Sequence, residues 1–154
     1  MKVLVVTTKK SDFIKAVRAF AAGLLEKDLH LKTALVVTLN GELGAGKTTF
    51  VQELGRILGA HGRILSPTFI VVRSHEITKE PWTTLHHMDC YRLKTASELG
   101  SVGWKEMYAD PRAIICVEWG ERVKSALPRK RIDIEIEGNK NPTHRTLSFN
   151  FHGL

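Results

Sequence analysis

The stretch "GELGAGKTTF", residues 41–50, sets Gly41, Gly46, Lys47 and Thr48 at the spacing G-x-x-x-x-G-K-[ST]. An apolar run, "TALVVTLN" (33–40), precedes it and reads as a buried strand. The following "TTFVQELGRILGA" has helical period, with Phe50, Val51, Leu54, Ile57 and Leu58 inward. Gly59 and Gly62 punctuate its end. Strand, glycine loop and helix in this order make a phosphate-binding loop. Glycines let backbone N–H groups curl round phosphate oxygens, and the helix N-terminus adds partial positive charge. In such a loop Lys47 reaches the β and γ phosphates and the Thr48 hydroxyl ligates Mg²⁺. The loop does not say what the phosphates are for. A kinase, a GTPase switch, an ATPase and a silent nucleotide sensor all use one.

Working outward, Val3–Val6 reads as a short strand. "SDFIKAVRAFAAGLLEK" places Phe13, Val17, Phe20, Ala21, Leu24 and Leu25 on one helical face, with Ser11 as the expected N-cap. "SPTFIVVRSHEI" (66–77) and "TTLHHMDCY" (83–91) read as two strands of a hairpin about the turn-like "KEPW". The stretch after "HMDCYR" is loop-rich with a short helix. "RAIICVEW" (112–119) is an apolar strand, and "GERVKSAL" a short helix stopped by Pro128. "RIDIEIE" and "HRTLSFNF" alternate strictly about "GNKNP" and form a closing hairpin. The expected fold is α/β: a single P-loop domain over 1–154, with a mixed central sheet, flanking helices and antiparallel hairpin additions.

The composition, 43% hydrophobic and 25% charged over 154 residues, suits one globular domain. No run of eighteen apolar residues exists, and the opening "MKVLVVTTKK" reads as a strand rather than a signal peptide. A cytoplasmic location is expected, with no membrane and no DNA partner. Cys90 and Cys116 sit in apolar stretches and read as reduced core thiols. His86 and His87 read as strand residues rather than ligands. The net charge of +7 fits a nucleic-acid partner or simply a basic, solvated surface. The cluster Arg122, Lys124, Arg129, Lys130 and Arg131 carries the same two readings, with tRNA or an acidic protein surface as the partner in the first.

Hydrolysis by a P-loop protein needs a carboxylate beside the metal, at the end of a neighbouring strand. Asp89 ends "LHHMD" and Glu118 ends "AIICVE". Either taken alone could as well be an ordinary strand-end acid, but the pair favours metal and water chemistry. Guanine recognition by N-K-x-D fails at "NKNP", because Pro142 cannot accept from the base. A phosphotransferase would need an acceptor pocket and usually an arginine-bearing lid. Arg92 could contribute there, but no lid-sized insertion is visible.

The ordered set "GELGAGKTTF", "SPTF", "HMDCYRL", "VEWGERV" and basic "LPRKR" resembles the TsaE (YjeE) family of small bacterial P-loop ATPases. The resemblance covers about residues 33–137. That family is required for threonylcarbamoyladenosine (t6A) modification of tRNA. The resemblance implies ATP as substrate, ADP as product, Mg²⁺ as cofactor and the TsaB–TsaD heterodimer as partner, with tRNA met through that complex. It implies weak intrinsic hydrolysis that the partner stimulates. Glu42, Leu43, Gly44, Ala45, Gly46, Lys47, Thr48 and Thr49 would hold the nucleotide, and Arg145 is placed near it. Thr48 and Glu118 would hold the metal, and Lys47, Asp89 and Glu118 would serve catalysis. Ser66, Pro67, Thr68, Phe69, Tyr91 and Arg92 would form switch-like segments. Trp119 would pack against the site or a partner, or simply into the core. The sequence departs from the family's usual pattern at Glu42, Met88 and Cys90. The rival readings are a small-molecule phosphotransferase and a non-hydrolysing nucleotide sensor.

Overall fold

β2 (Leu35–Asn40) and β5 (Ala113–Glu118) lie side by side at the centre of the sheet, because their apolar residues can be buried on both faces. The computed structural model describes residues 1–27 and 29–154. β2 and β5 run parallel, flanked by parallel β4 (Thr84–Asp89) and β6 (Arg131–Gly138). β3 (Val72–Glu76) adds antiparallel to β4. β7 (Arg145–His152) and β1 (Lys2–Thr7) add antiparallel beyond β6. The seven-stranded order is β1-β7-β6-β2-β5-β4-β3. A parallel centre with antiparallel hairpins at both flanks is the mixed sheet expected from the sequence.

One face of the sheet carries α1 (Lys10–Glu26) and α2 (Lys47–Ile57). Phe50 of α2 is fully buried there, with its ring 5.6 Å from Phe20 and 6.3 Å from both Phe13 and Phe149. These rings join both helices to β7. The other face is covered by α3 (Trp104–Ala109) and two 3₁₀ segments, Ala96–Val102 and Gly120–Ala126.

Two sequence expectations need correction. Ser11 does not cap α1. The cap position is Lys9, and Thr8 Oγ1 instead donates to Asp12 Oδ2 in the first turn. Residues 66–71 are not strand, and β3 starts only at Val72. The Pro67 carbonyl accepts the amides of Ile70 and Val71, which closes a turn and takes both donors away from any ladder. Val71 leaves this turn with a positive φ of 69°.

Among the five basic residues read as one cluster, Arg131 is taken by the fold. It makes a two-point bond to Asp133, at 2.7 and 3.0 Å. Thr38 donates to the same carboxylate at 2.8 Å and His152 lies 2.9 Å from it. Burial pushes the Asp133 carboxyl upward, but the Arg131 and Thr38 hydrogen bonds and the charges of Arg131 and His152 outweigh it and hold it below its ordinary 3.8. A lowered carboxylate stabilises the fold above the unfolded value, and that contribution is lost as pH falls through the native one. Asp133→Asn should therefore cost about 1–3 kcal/mol at neutral pH. The difference from wild type should shrink as urea midpoints are followed below pH 4.

Candidate nucleotide site

All four parallel strands point their carboxyl ends toward the loop 41–46, where open α/β sheets bind ligands. Gly41 has φ 143°, and a Cβ there would lie 2.3 Å from the Ile136 carbonyl. Only glycine lets the chain leave β2 this close to β6. Gly46 ends the loop in the left-handed region, with no side chain capping α2. The first amides of α2 are thus left for a ligand, in the orientation that attracts anions.

Lys47 begins α2 and is 5% exposed. Its Nζ donates to the carbonyls of Gly41 (2.5 Å) and Glu42 (2.9 Å) and lies 3.9 Å from the Trp119 ring centroid. Burial lowers its pKa, while the charges of Glu118, Glu121 and Asp89 act in the opposite direction. The lysine is therefore folded back over its own loop, held by neutral oxygens and an aromatic face.

Thr48 Oγ1 donates to Glu118 Oε1 at 2.8 Å. Asp89 and Glu118 are register partners at the ends of β4 and β5, which brings the two strand-end acids together. Asp89 is occupied at both oxygens: Thr68 Oγ1 donates to Oδ2 and the Tyr91 amide to Oδ1, each at 2.9 Å. Ser66 Oγ lies 2.6 Å from Thr68 Oγ1. The Asp89 amide donates to the Val71 carbonyl at 2.9 Å. The segments 66–71 and 89–92 are thus one connected unit. Its outer surface is Phe69, 85% exposed, with the Arg92 guanidinium 5.0 Å from its ring. Tyr91 packs on Trp119 with ring centroids 5.0 Å apart, and Arg122 lies over both rings. Trp119 is half-buried and has φ 60°. It packs onto Lys47 and Tyr91 at the site and also against the core on the α3 face of the sheet.

Arg145 sits across the loop. Its Nε donates to the Ala45 carbonyl at 3.0 Å, and Nη1 to those of Pro142 and His144 at 2.7 and 2.8 Å. It braces the loop from behind and edges a cavity of about 260 Å³ lined by Lys10, Phe13, Gly46, Thr49 and Pro142. Glu42, Leu43 and Gly44 are exposed at the loop tip. The structure thus gathers the loop, 66–69, 89–92 and 118–119 on one side and Arg145 on the other.

Sequence reading missed His87, whose Nε2 lies 2.6 Å from Glu118 Oε1 in the buried interior. The signal was available: strand residues two apart share a face, so His87 must lie on the face of Asp89. Two sites of chemistry fit these residues. The loop amides and Lys47 suit phosphate oxygens, and the Thr48 hydroxyl with the Glu118 carboxylate suits a hard cation such as Mg²⁺.

Glycine loop, following helix and strand-end acids define a P-loop protein. A family model described as "Threonylcarbamoyl adenosine biosynthesis protein TsaE" matches residues 9–147. The chain belongs to the TsaE family. It is 35% identical over 120 residues to the tRNA threonylcarbamoyladenosine biosynthesis protein TsaE of Haemophilus influenzae, covering 78% of this chain and 72% of that protein. The Treponema pallidum protein of the same name is 37% identical over 117 residues, covering 73% and 83%. The crystal structure of YdiB from Bacillus subtilis superposes with a TM-score of 0.73 at 25% identity, covering 99% of this chain and 87% of that one.

Proposed function

We propose that this chain is an Mg²⁺-dependent ATPase of tRNA t6A modification that acts on a TsaB–TsaD complex. Membership of the TsaE family supports the pathway. The observation that carries the chemistry is the Thr48–Glu118 contact beside the uncapped start of α2. The loop amides and Lys47 bind the phosphates, and the cavity between Lys10, Phe13 and Arg145 takes the nucleoside end. Thr48 and Glu118 would hold Mg²⁺, which when bound would neutralise charge on the phosphate oxygens.

The two acids divide the work. Both oxygens of Asp89 are engaged by Thr68 and Tyr91, so Asp89 ties the switch-like segments to the sheet. Among the described residues no protein donor reaches Glu118 Oε2, so this oxygen remains for metal or attacking water. Water adds to the γ-phosphorus as the bond to the β-γ bridging oxygen breaks, releasing ADP and phosphate. The exposed Phe69 and Arg92 on the connected segments give the nucleotide state an outer surface that a partner can read.

The test is ATP hydrolysis with and without purified TsaB–TsaD. Stimulated phosphate release and ATP-dependent co-migration with the complex are expected. No stimulation together with no co-migration would remove the proposal. γ-Labelled ATP separates hydrolysis from phosphotransfer, since only transfer leaves label on an acceptor other than water.

A further inference from the structure

Glu118 is gripped at one oxygen by two donors from different elements. Thr48 Oγ1 approaches Oε1 from the phosphate loop at 2.8 Å, and His87 Nε2 approaches it from β4 at 2.6 Å. His87 is 0% exposed. A carboxylate oxygen offers only lone pairs, so the ring hydrogen sits on Nε2. Among the described residues, the other ring nitrogen, Nδ1, is buried without a partner, as are Arg73 Nε and His75 Nε2. Arg73 stands opposite His87 in the β3–β4 register and His75 opposite Leu85, so all three side chains share one face of the hairpin.

A buried imidazole with an unsatisfied nitrogen is a worse core residue than leucine or methionine of similar size. Its local gain is the single bond to Glu118. That bond matters because the last torsion of a glutamate is broad, and a rotating hydroxyl alone does not fix it. With His87 in place, Oε1 is anchored to the sheet, and Oε2 is left without a protein donor among the described residues.

We propose that His87 is a positioning residue that orients Glu118 toward a divalent cation, independently of the phosphate loop. This rests on the metal and nucleotide reading of the site given above. Partners of metal-bound groups act in this way, and their loss weakens metal affinity by roughly 10–100-fold.

The test is calorimetric titration of ATP into wild type, His87→Leu and His87→Gln, with EDTA and across a series of MgCl₂ concentrations. In His87→Leu the Mg²⁺ midpoint should rise by about 10-fold or more, with ATP affinity in EDTA unchanged. His87→Gln, which keeps a neutral N–H donor at a similar reach, should recover most of the wild-type midpoint. A purely structural histidine would lower Tm in both variants and leave the midpoint alone. An unchanged midpoint in His87→Leu, with clear Mg²⁺ dependence in wild type, overturns this inference and spares the site reading. ATP binding without Mg²⁺ dependence in wild type overturns both. If His87→Leu does not fold, the long-range ¹H–¹⁵N spectrum of wild type decides. A hydrogen on Nε2 of His87 whose resonance shifts with ATP and Mg²⁺ but not with ATP in EDTA supports the proposal, and a bare Nε2 or no Mg²⁺-specific shift overturns it.

Discussion

Lys47→Ala is expected to weaken ATP binding on the order of 100-fold or more, while circular dichroism and Tm remain close to wild type. The ammonium is already stripped of most of its water, and its hydrogen-bond partners are two loop carbonyls. Incoming phosphate oxygens would thus meet a desolvated charge, which acts more strongly than one in water. Lys47→Arg should not rescue binding. A planar fork cannot take the place of a compact point charge 3.9 Å from the Trp119 ring centroid. The pH dependence follows from the direction of the shift. Burial lowers the Lys47 pKa from 10.5, so binding should fail as pH rises through a native value below that of free lysine. Titration calorimetry across alkaline pH reads both effects. Wild-type affinity in Lys47→Ala would remove the phosphate role of the loop.

Glu118→Gln should lower single-turnover hydrolysis by about 100–1000-fold while ATP still binds. The amide preserves size, and its oxygen can still accept from Thr48 and His87. It lacks the negative charge that the metal and the attacking water require. It also removes a charge that helps keep Lys47 protonated, so the alkaline limit of binding should move to lower pH than in wild type. Rapid-quench measurement of phosphate release, compared with ATP affinity, separates the two effects. Near-normal hydrolysis in Glu118→Gln would transfer the chemistry elsewhere, with Asp89 the next acid to test.

The parallel centre and both flanking hairpins were legible because periodicity and turn residues act locally. "RIDIEIE" and "LSFNF" could bury one face only by pairing. The loop was legible because its chemistry demands glycine and lysine at fixed spacing. Segment 66–71 misled the reading, since β-branched residues there suggest a strand, whereas the Pro67 carbonyl captures the amides of Ile70 and Val71. Ser11 misled it for a similar reason, because the Thr8–Asp12 bond starts α1 ahead of Ser11, with Lys9 at the cap position. The His87–Glu118 contact depends on the order of strands in the sheet, which composition does not reveal. Alternation alone put His87 on the face of Asp89, but only the adjacency of β4 and β5 put it against Glu118. The basic cluster was read as one patch, yet it divides. Arg131 is committed to Asp133, Arg122 lies over Tyr91 and Trp119, and Lys124, Arg129 and Lys130 remain exposed.

Val71 and Trp119 adopt left-handed backbone conformations that side chains other than glycine avoid, at about 1–2 kcal/mol per residue. Each adjoins one of the site acids. The Val71 carbonyl receives the Asp89 amide, and Trp119 follows Glu118 directly. The strain is therefore placed where both carboxylates are fixed, and it is sustained only while the surrounding bonds persist. A ligand or partner that frees either residue recovers part of that energy. If the proposed nucleotide and partner both act on these residues, their affinities would be linked, and a change in one would appear in the other.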